Sequence, residues 1–187
     1  MGLGARVTVI DINVDRLRYL EDIFMGRIET LYSNRFNLSK ATKYADLVVG
    51  AVLIPGGKTP KIITEEMVKK MQPGSVIVDV AIDQGGCIET IEHPTTHADP
   101  VFVKHGVIHY AVSNIPGAVP RTSTLALTNA TLPYLVEMAK KGWKQAALDD
   151  KALAKGINIM NGKITNAAVA EAHNLPYHSV EEVIKEF

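Results

Sequence analysis

Over the first hundred or so positions, apolar residues come in short runs, each closed by turn-forming residues. Residues 6–11 are β-branched and end in Asp11, which predicts a strand. Residues 46–54 form an apolar run closed by Pro55-Gly56-Gly57. Residues 75–82 form another, ending in Asp83-Gln84-Gly85-Gly86. Residues 107–112 form a fourth, with Phe102 in an apolar patch before it. Unbroken runs of this length predict strands buried on both faces, as in a parallel sheet. Helical spacing lies between them. Asn13 is a predicted N-cap, with Val14, Leu17 and Leu20 on one face. Residues 27–32 predict a short strand or turn, 39–44 a helical turn, and 64–71 a capped helix stopped by Pro73-Gly74. Strand and helix in alternation predict right-handed parallel crossovers and a doubly wound α/β sheet.

Beyond Thr122 the pattern changes. Residues 123–141 carry Leu125, Leu127, Leu132, Leu135 and Val136, which predicts a long, mostly buried helix, kinked or broken at Pro133. A second helix is predicted over 146–155, closed by Gly156. Residues 157–164 predict a hairpin with Asn161-Gly162 as a type I′ turn. Short helices are expected over 165–173 and 179–187. The Pro/Gly-rich joint at 116–121 divides the chain into an α/β part, 1–119, and a mostly helical part, 120–187.

Charge narrows the class. Twenty basic and twenty acidic residues balance, which gives no electrostatic footprint for nucleic acid or an anionic membrane. The single cysteine, Cys87, excludes an internal disulfide and fits a reducing compartment. No apolar stretch reaches the ~18 residues of a membrane span, and the opening residues show no secretory h-region. A cytoplasmic protein is expected. His93 and His97 are four apart, but Pro94 opposes a helix and nothing completes a ligand set, so no metal is expected. Cys87 reads as a buried, inert thiol.

Two carboxylates stand at predicted strand ends, where open α/β sheets bind ligands. Asp83 ends the run over 75–82 beside two glycines that let a ligand approach the backbone. Asp11 ends the first strand, where a dinucleotide-binding fold places the acid that holds the adenosine ribose. A turn residue and a helix cap are the plainer readings of the two. A Gly-rich phosphate loop belongs roughly 20 residues before the ribose acid, yet only ten residues precede Asp11. Such a chain would lack the first strand, the phosphate loop and most of the first helix of the fold.

The segments Val7-Thr8-Val9-Ile10-Asp11-Ile12-Asn13, Leu53-Ile54-Pro55-Gly56, Asp79-Val80-Ala81-Ile82-Asp83-Gln84-Gly85-Gly86 and Ser113 through Ser123 resemble alanine dehydrogenase in order and spacing. The resemblance covers essentially the whole chain. It implies NAD-dependent, reversible deamination of L-alanine to pyruvate and ammonia, by a homo-oligomer that is a hexamer in the family. The fold implied is a Rossmann-like sheet inserted into a catalytic domain. It also implies roles. Asp11 would hold the adenosine ribose, with Arg16 and Ser33 near the adenosine end. Val52 and Leu53 would line the cofactor channel. Val80, Ala81, Ile82 and Asp83 would run beside the nicotinamide ribose, and Asp83 would be the catalytic carboxylate. Ala111, Val112, Ser113 and Asn114 would close over the nicotinamide. From sequence alone, core packing is the stronger reading of Val52, Leu53 and Val80. The family's histidine and its substrate-gripping lysine have no counterpart here, so the chain by itself is expected to be inactive. Two other readings are the NAD-binding subunit of a proton-translocating transhydrogenase, and an inactive oligomerisation or binding module.

Overall fold

The computed structural model describes residues 1–186 of the chain. The described residues separate into two compact units, one of residues 1–52 and 60–113, the other of residues 53–59 and 114–186.

The first unit holds two sheets. Strands β1 (Thr8–Asp11) and β2 (Glu29–Tyr32) pair in parallel, with Asp11 opposite Tyr32. Strands β3 (Leu47–Gly50), β4 (Val76–Asp79), β5 (Val101–Lys104) and β6 (Val107–Tyr110) form the other, in the order β3-β4-β6-β5. Its β3–β4 and β4–β6 pairs are parallel, and β5 joins the edge antiparallel to β6. No strand among the described residues pairs with both β1 and β3. That break is what a doubly wound sheet without its first strand would show, and the architecture is a partial Rossmann-like fold.

Local chemistry explains the helices between the strands. Asn13 caps α1 (Val14–Ile23) by accepting from the Arg16 N–H. Asn34 caps α2 (Arg35–Tyr44) in the same way through the Asn37 N–H. The second helix is therefore longer than the turn expected over 39–44. Thr64 caps the short α3 (Glu65–Val68) through the Met67 N–H. Apolar side chains of α3 and its flanks, including Met67, Val68 and Met71, pack with Ile77 of β4 and with Ile88 and Ile91.

Four expectations for residues 1–113 need correction. Phe102 lies not in a loose apolar patch but in β5, whose antiparallel pairing makes the sheet mixed. The alternation of strand and helix cannot foresee this, because β5 and β6 are joined by the His105-Gly106 turn with no intervening helix. The β4 ladder stops at Asp79, not Ile82, and residues 82–84 form a 3-10 turn. The β3 ladder likewise stops at Gly50. Finally, Leu53 and Val80 are exposed, so core packing does not explain them. Val52 does pack against the core.

The second unit carries α4 (Pro120–Lys141), which runs unbroken through Pro133. It contradicts the expected buried helix, since none of its residues is buried. Its apolar side chains do not gather on one face, so no single contact within the unit can cover them. The expected helix over 146–155 is two helices, α5 (Trp143–Asp149) and α6 (Lys151–Lys155). Asp150 divides them because its extended backbone ends one helix and its carboxylate caps the other through the Ala152 N–H at 2.7 Å. The predicted hairpin is present as β7 (Ile159–Met160) and β8 (Lys163–Ile164), with Asn161 and Gly162 both at positive φ, as a type I′ turn requires. Asn166 caps α7 (Ala167–His173), and Ser179 and Glu182 form a capping box on α8 (Val180–Ile184). The end of the last predicted helix, Phe187, lies outside the described residues. Among the described residues no helix is long and apolar enough to cross a membrane.

Candidate functional site

Because β3, β4 and β6 are parallel, their carboxyl ends share one edge, where Gly50 stands opposite Asp79 and Val78 opposite Tyr110. The segments that leave this edge carry most of the candidate residues. Val52 follows β3, Val80 through Asp83 follow β4, and Ala111 through Ser113 follow β6. The Val80 N–H donates to the Gly50 carbonyl at 2.8 Å, which ties the first two segments together. The third is held by Thr95. Its backbone exchanges hydrogen bonds with Ala111 and Ser113, and its hydroxyl accepts from the Ala111 N–H and donates to the Pro100 carbonyl.

Side-chain exposure divides these residues. Ala81, Ile82, Ala111 and Val112 are buried, so only their backbones can meet a ligand. Val80 is exposed, and Asp83 is exposed in the middle of the 3-10 turn. Ser113 is half-buried.

A second group sits at the end of β1. The Asp11 carboxylate is half-buried, and its Oδ1 accepts from the Asn13 N–H at 2.8 Å. The Asp11 carbonyl accepts from the Ser33 N–H at 2.9 Å, which brings these two candidates together. Arg16, on the first turn of α1, lays its guanidinium 5.0 Å from the centre of the Tyr19 ring. Leu53 and Asn114 belong to the second unit. Leu53 is exposed, and Asn114 adopts a left-handed backbone (φ 53°) just before the turn Ile115–Ala118.

Sequence reasoning missed the group that organises the β4 edge. Asp79 is wholly buried. Its Oδ1 accepts from the Ala81 N–H at 3.0 Å, and its Oδ2 from the Cys87 and Ile88 N–H groups at 2.9 and 3.3 Å. The Cys87 thiol points at the same carboxylate, 3.6 Å from Oδ1. Burial, reinforced by that negative charge, pushes the thiol pKa up to about 12, so Cys87 is neutral and unreactive. The available signal was the four-residue spacing of Asp79 and Asp83 in one apolar run. A carboxylate inside such a run must find donors.

His109 on β6 is the other buried polar group of note. Nδ1 lies 2.9 Å from the Val107 carbonyl, so it carries the proton, and Nε2 accepts from the Thr90 hydroxyl at 2.8 Å. The ring stacks on Phe102 with centroids 4.8 Å apart. Burial holds its pKa below the ordinary histidine value. The unfolded chain thus binds a proton near pH 6.5 that the folded chain refuses. This contribution to stability is complete above about pH 6.5 and falls as the pH drops toward the lowered folded value. Denaturant midpoints measured from neutral to mildly acidic pH are expected to fall in that window, and His109→Gln is expected to flatten the slope.

Comparison with known proteins adds to this geometry. Residues 1–167 match the family model described as alanine dehydrogenase/PNT, C-terminal domain. The chain is 62% identical over 186 residues to an alanine dehydrogenase of Methanococcus maripaludis, covering 100% of this chain and 50% of that protein. It is 60% identical over 185 residues to one from Lysinibacillus sphaericus, covering 99% of this chain and 50% of that protein. A solved L-alanine dehydrogenase superposes with a TM-score of 0.79 at 51% identity, covering 92% of this chain and 47% of that one. A transhydrogenase from Sinorhizobium meliloti shares the fold at a TM-score of 0.64 and 24% identity, covering 89% of this chain and 44% of that one. The chain thus spans about half the length of the curated relatives it matches.

Proposed function

Because the chain belongs to the alanine dehydrogenase/PNT C-terminal domain family, we propose that it forms the cofactor-side portion of an NAD-dependent alanine dehydrogenase. The observation that carries this reading is the shared edge of β3, β4 and β6, where the candidate nicotinamide segments emerge together and Asp83 is exposed. In this reading residues 1–119 supply most of the cofactor domain, and residues 120–187 the returning part of the catalytic domain. The complete enzyme is a cytoplasmic homo-oligomer, a hexamer, with L-alanine and pyruvate as its substrates.

The residues present fit NAD. Asp11 keeps Oδ2 clear of the Asn13 N–H that occupies Oδ1, so it can accept from a ribose hydroxyl. The same charge repels a 2′-phosphate, which favours NAD over NADP. Arg16 and Ser33 flank the adenosine end. Val52 and Val80 offer apolar surface for the channel. In this reading the backbones of Ala81, Ile82 and Ala111 through Ser113 meet the nicotinamide half.

Bound NAD supplies the acceptor for the hydride that leaves the alanine Cα. In balance, L-alanine, water and oxidised NAD give pyruvate, ammonium, NADH and a proton. Asp83 serves the proton side of this exchange, by polarising the water that adds to the imine carbon or by orienting a histidine supplied from outside this chain. The chain alone is inactive, because the substrate's carboxylate grip comes from elsewhere.

Joining this chain to the amino-terminal half of the Methanococcus maripaludis enzyme tests the reading. Alanine-dependent NADH formation is expected from the fusion and not from the chain alone. Hydride exchange between two nicotinamide cofactors without any response to alanine would favour a transhydrogenase instead. A monodisperse oligomer that binds neither cofactor would favour an assembly module.

A further inference from the structure

Asp83 sits on a segment whose two ends meet at one buried carboxylate. Val80 through Ile88 leaves β4, turns through the 3-10 turn and comes back, and Asp79 takes the Ala81 amide at the start and the Cys87 and Ile88 amides at the return. The turn also closes on itself, since Gln84 and Gly86 both donate to the Ala81 carbonyl. Lys61 grips the same segment through its carbonyls. Its Nζ donates to Gly85 O at 2.8 Å, Ile88 O at 3.1 Å and Ile91 O at 3.4 Å. The carboxylate and the ammonium bear on one point. A Cβ on Gly86 would lie 2.7 Å from Asp79 Oδ2 and 3.4 Å from Lys61 Nζ.

The arrangement holds more than a hairpin turn needs. The turn already makes its own backbone hydrogen bonds, from Gln84 and Gly86 to Ala81 and from Gly85 to Ile82. Here one anion holds the amides and one cation holds the carbonyls, so both kinds of backbone group are fixed from outside the turn. Charge-assisted bonds of this kind are the stronger ones. The segment they hold carries the exposed Asp83, two residues beyond the first gripped amide.

We propose that Asp79, assisted by Lys61, is a positioning residue for Asp83: it fixes the 80–88 segment so that the Asp83 carboxylate meets the nicotinamide and the substrate. This rests on the reading of Asp83 as the catalytic carboxylate. Asp79→Asn is the sharpest probe, because an amide keeps the size of the side chain but turns an NH₂ group toward backbone donors that need an acceptor. Misplacing a reacting group by about 1 Å costs on the order of a hundredfold in rate.

Two measurements separate this proposal from the assignment of function. The first uses the chain itself. Asp79→Asn is expected to raise the labelling rate of Cys87 by a thiol reagent at least ~10-fold under native conditions, beyond what removal of the neighbouring charge adds to the thiolate fraction, as the return of the segment loosens; Lys61→Met, which keeps the Asp79 charge beside the thiol, isolates the loosening. Lys61→Met is expected to do so more weakly. The second uses the fusion with the Methanococcus maripaludis half, with active sites titrated so that unfolded protein does not count. Asp79→Asn is expected to lower kcat about a hundredfold with KM for NAD within about threefold, and Lys61→Arg to retain most of the rate that Lys61→Met loses. Cys87 labelling unchanged by Asp79→Asn, or kcat per active site unchanged, overturns the positioning role. An unsubstituted fusion that forms no NADH from alanine overturns the function instead, and the labelling result still decides whether Asp79 holds the segment.

Discussion

Gly86→Ala is expected to destabilise the chain by about 3 kcal/mol or more, among the larger effects of a single added methyl group. Two costs combine. Gly86 has φ +70°, a left-handed backbone that costs a residue with a Cβ roughly 1–2 kcal/mol. The new Cβ would also lie 2.7 Å from Asp79 Oδ2. That oxygen cannot withdraw without leaving the Cys87 and Ile88 amides unpaired in a buried site, and a buried donor left unpaired costs roughly 1–3 kcal/mol. Gly74→Ala is the control. Gly74 has φ +88°, and nothing lies within 4 Å of its would-be Cβ, so only the backbone cost applies. Urea denaturation of the two variants is expected to place Gly86→Ala at least ~1 kcal/mol below Gly74→Ala. Equal midpoints would mean that the Asp79 cradle gives way easily, and would weaken the case for its rigidity.

The contrast between these glycines shows what one-dimensional reading can and cannot reach. The apolar runs located β1, β3, β4 and β6 because a parallel sheet favours continuously apolar strands, but burial on both faces is not what the chain shows, since Leu47 and Val49 leave one face of β3 exposed and β1 has no buried residue. Asn13, Thr64 and Asn161-Gly162 were legible for a related reason: a cap or a type I′ turn is settled by neighbours in the chain. Asp83 and Asp11 stand out as candidates in the sequence because the ends of apolar runs are where such sheets place ligands, although Asp83 lies in the turn beyond the end of β4. The failures share the opposite cause. Whether α4 is covered depends on surfaces remote in sequence, so its leucines predicted burial that the chain does not provide. The antiparallel direction of β5 follows from its short connection to β6 through His105-Gly106, and its place in the sheet from the edge of β6 that β4 leaves free. The part played by Asp79 depends on amides up to nine positions away. Nothing in its immediate neighbours distinguishes it from a strand residue, and the strand assignment accordingly ran past it to Ile82.

Asp83→Asn, in the fusion that completes the enzyme, is expected to lower kcat for alanine oxidation by roughly a thousandfold, about 4 kcal/mol of barrier. The size follows from the role. An amide retains the volume and one acceptor oxygen of the carboxylate, so cofactor binding should change little, but it can neither take a proton nor stabilise a neighbouring positive charge. KM for NAD within a few-fold, with kcat reduced, is the signature of an interaction made only as the reaction proceeds. The same substitution leaves Asp79 and its three amide acceptances in place, so Cys87 should stay as resistant to labelling as in the parent chain. Asp79→Asn should instead lose rate and expose Cys87 together. The two aspartates, four positions apart in one motif, are thereby separable in their proposed roles, Asp83 working on the substrate and Asp79 holding its neighbour in place. A rate unchanged by Asp83→Asn would remove the first role, and with it the purpose assigned to the second.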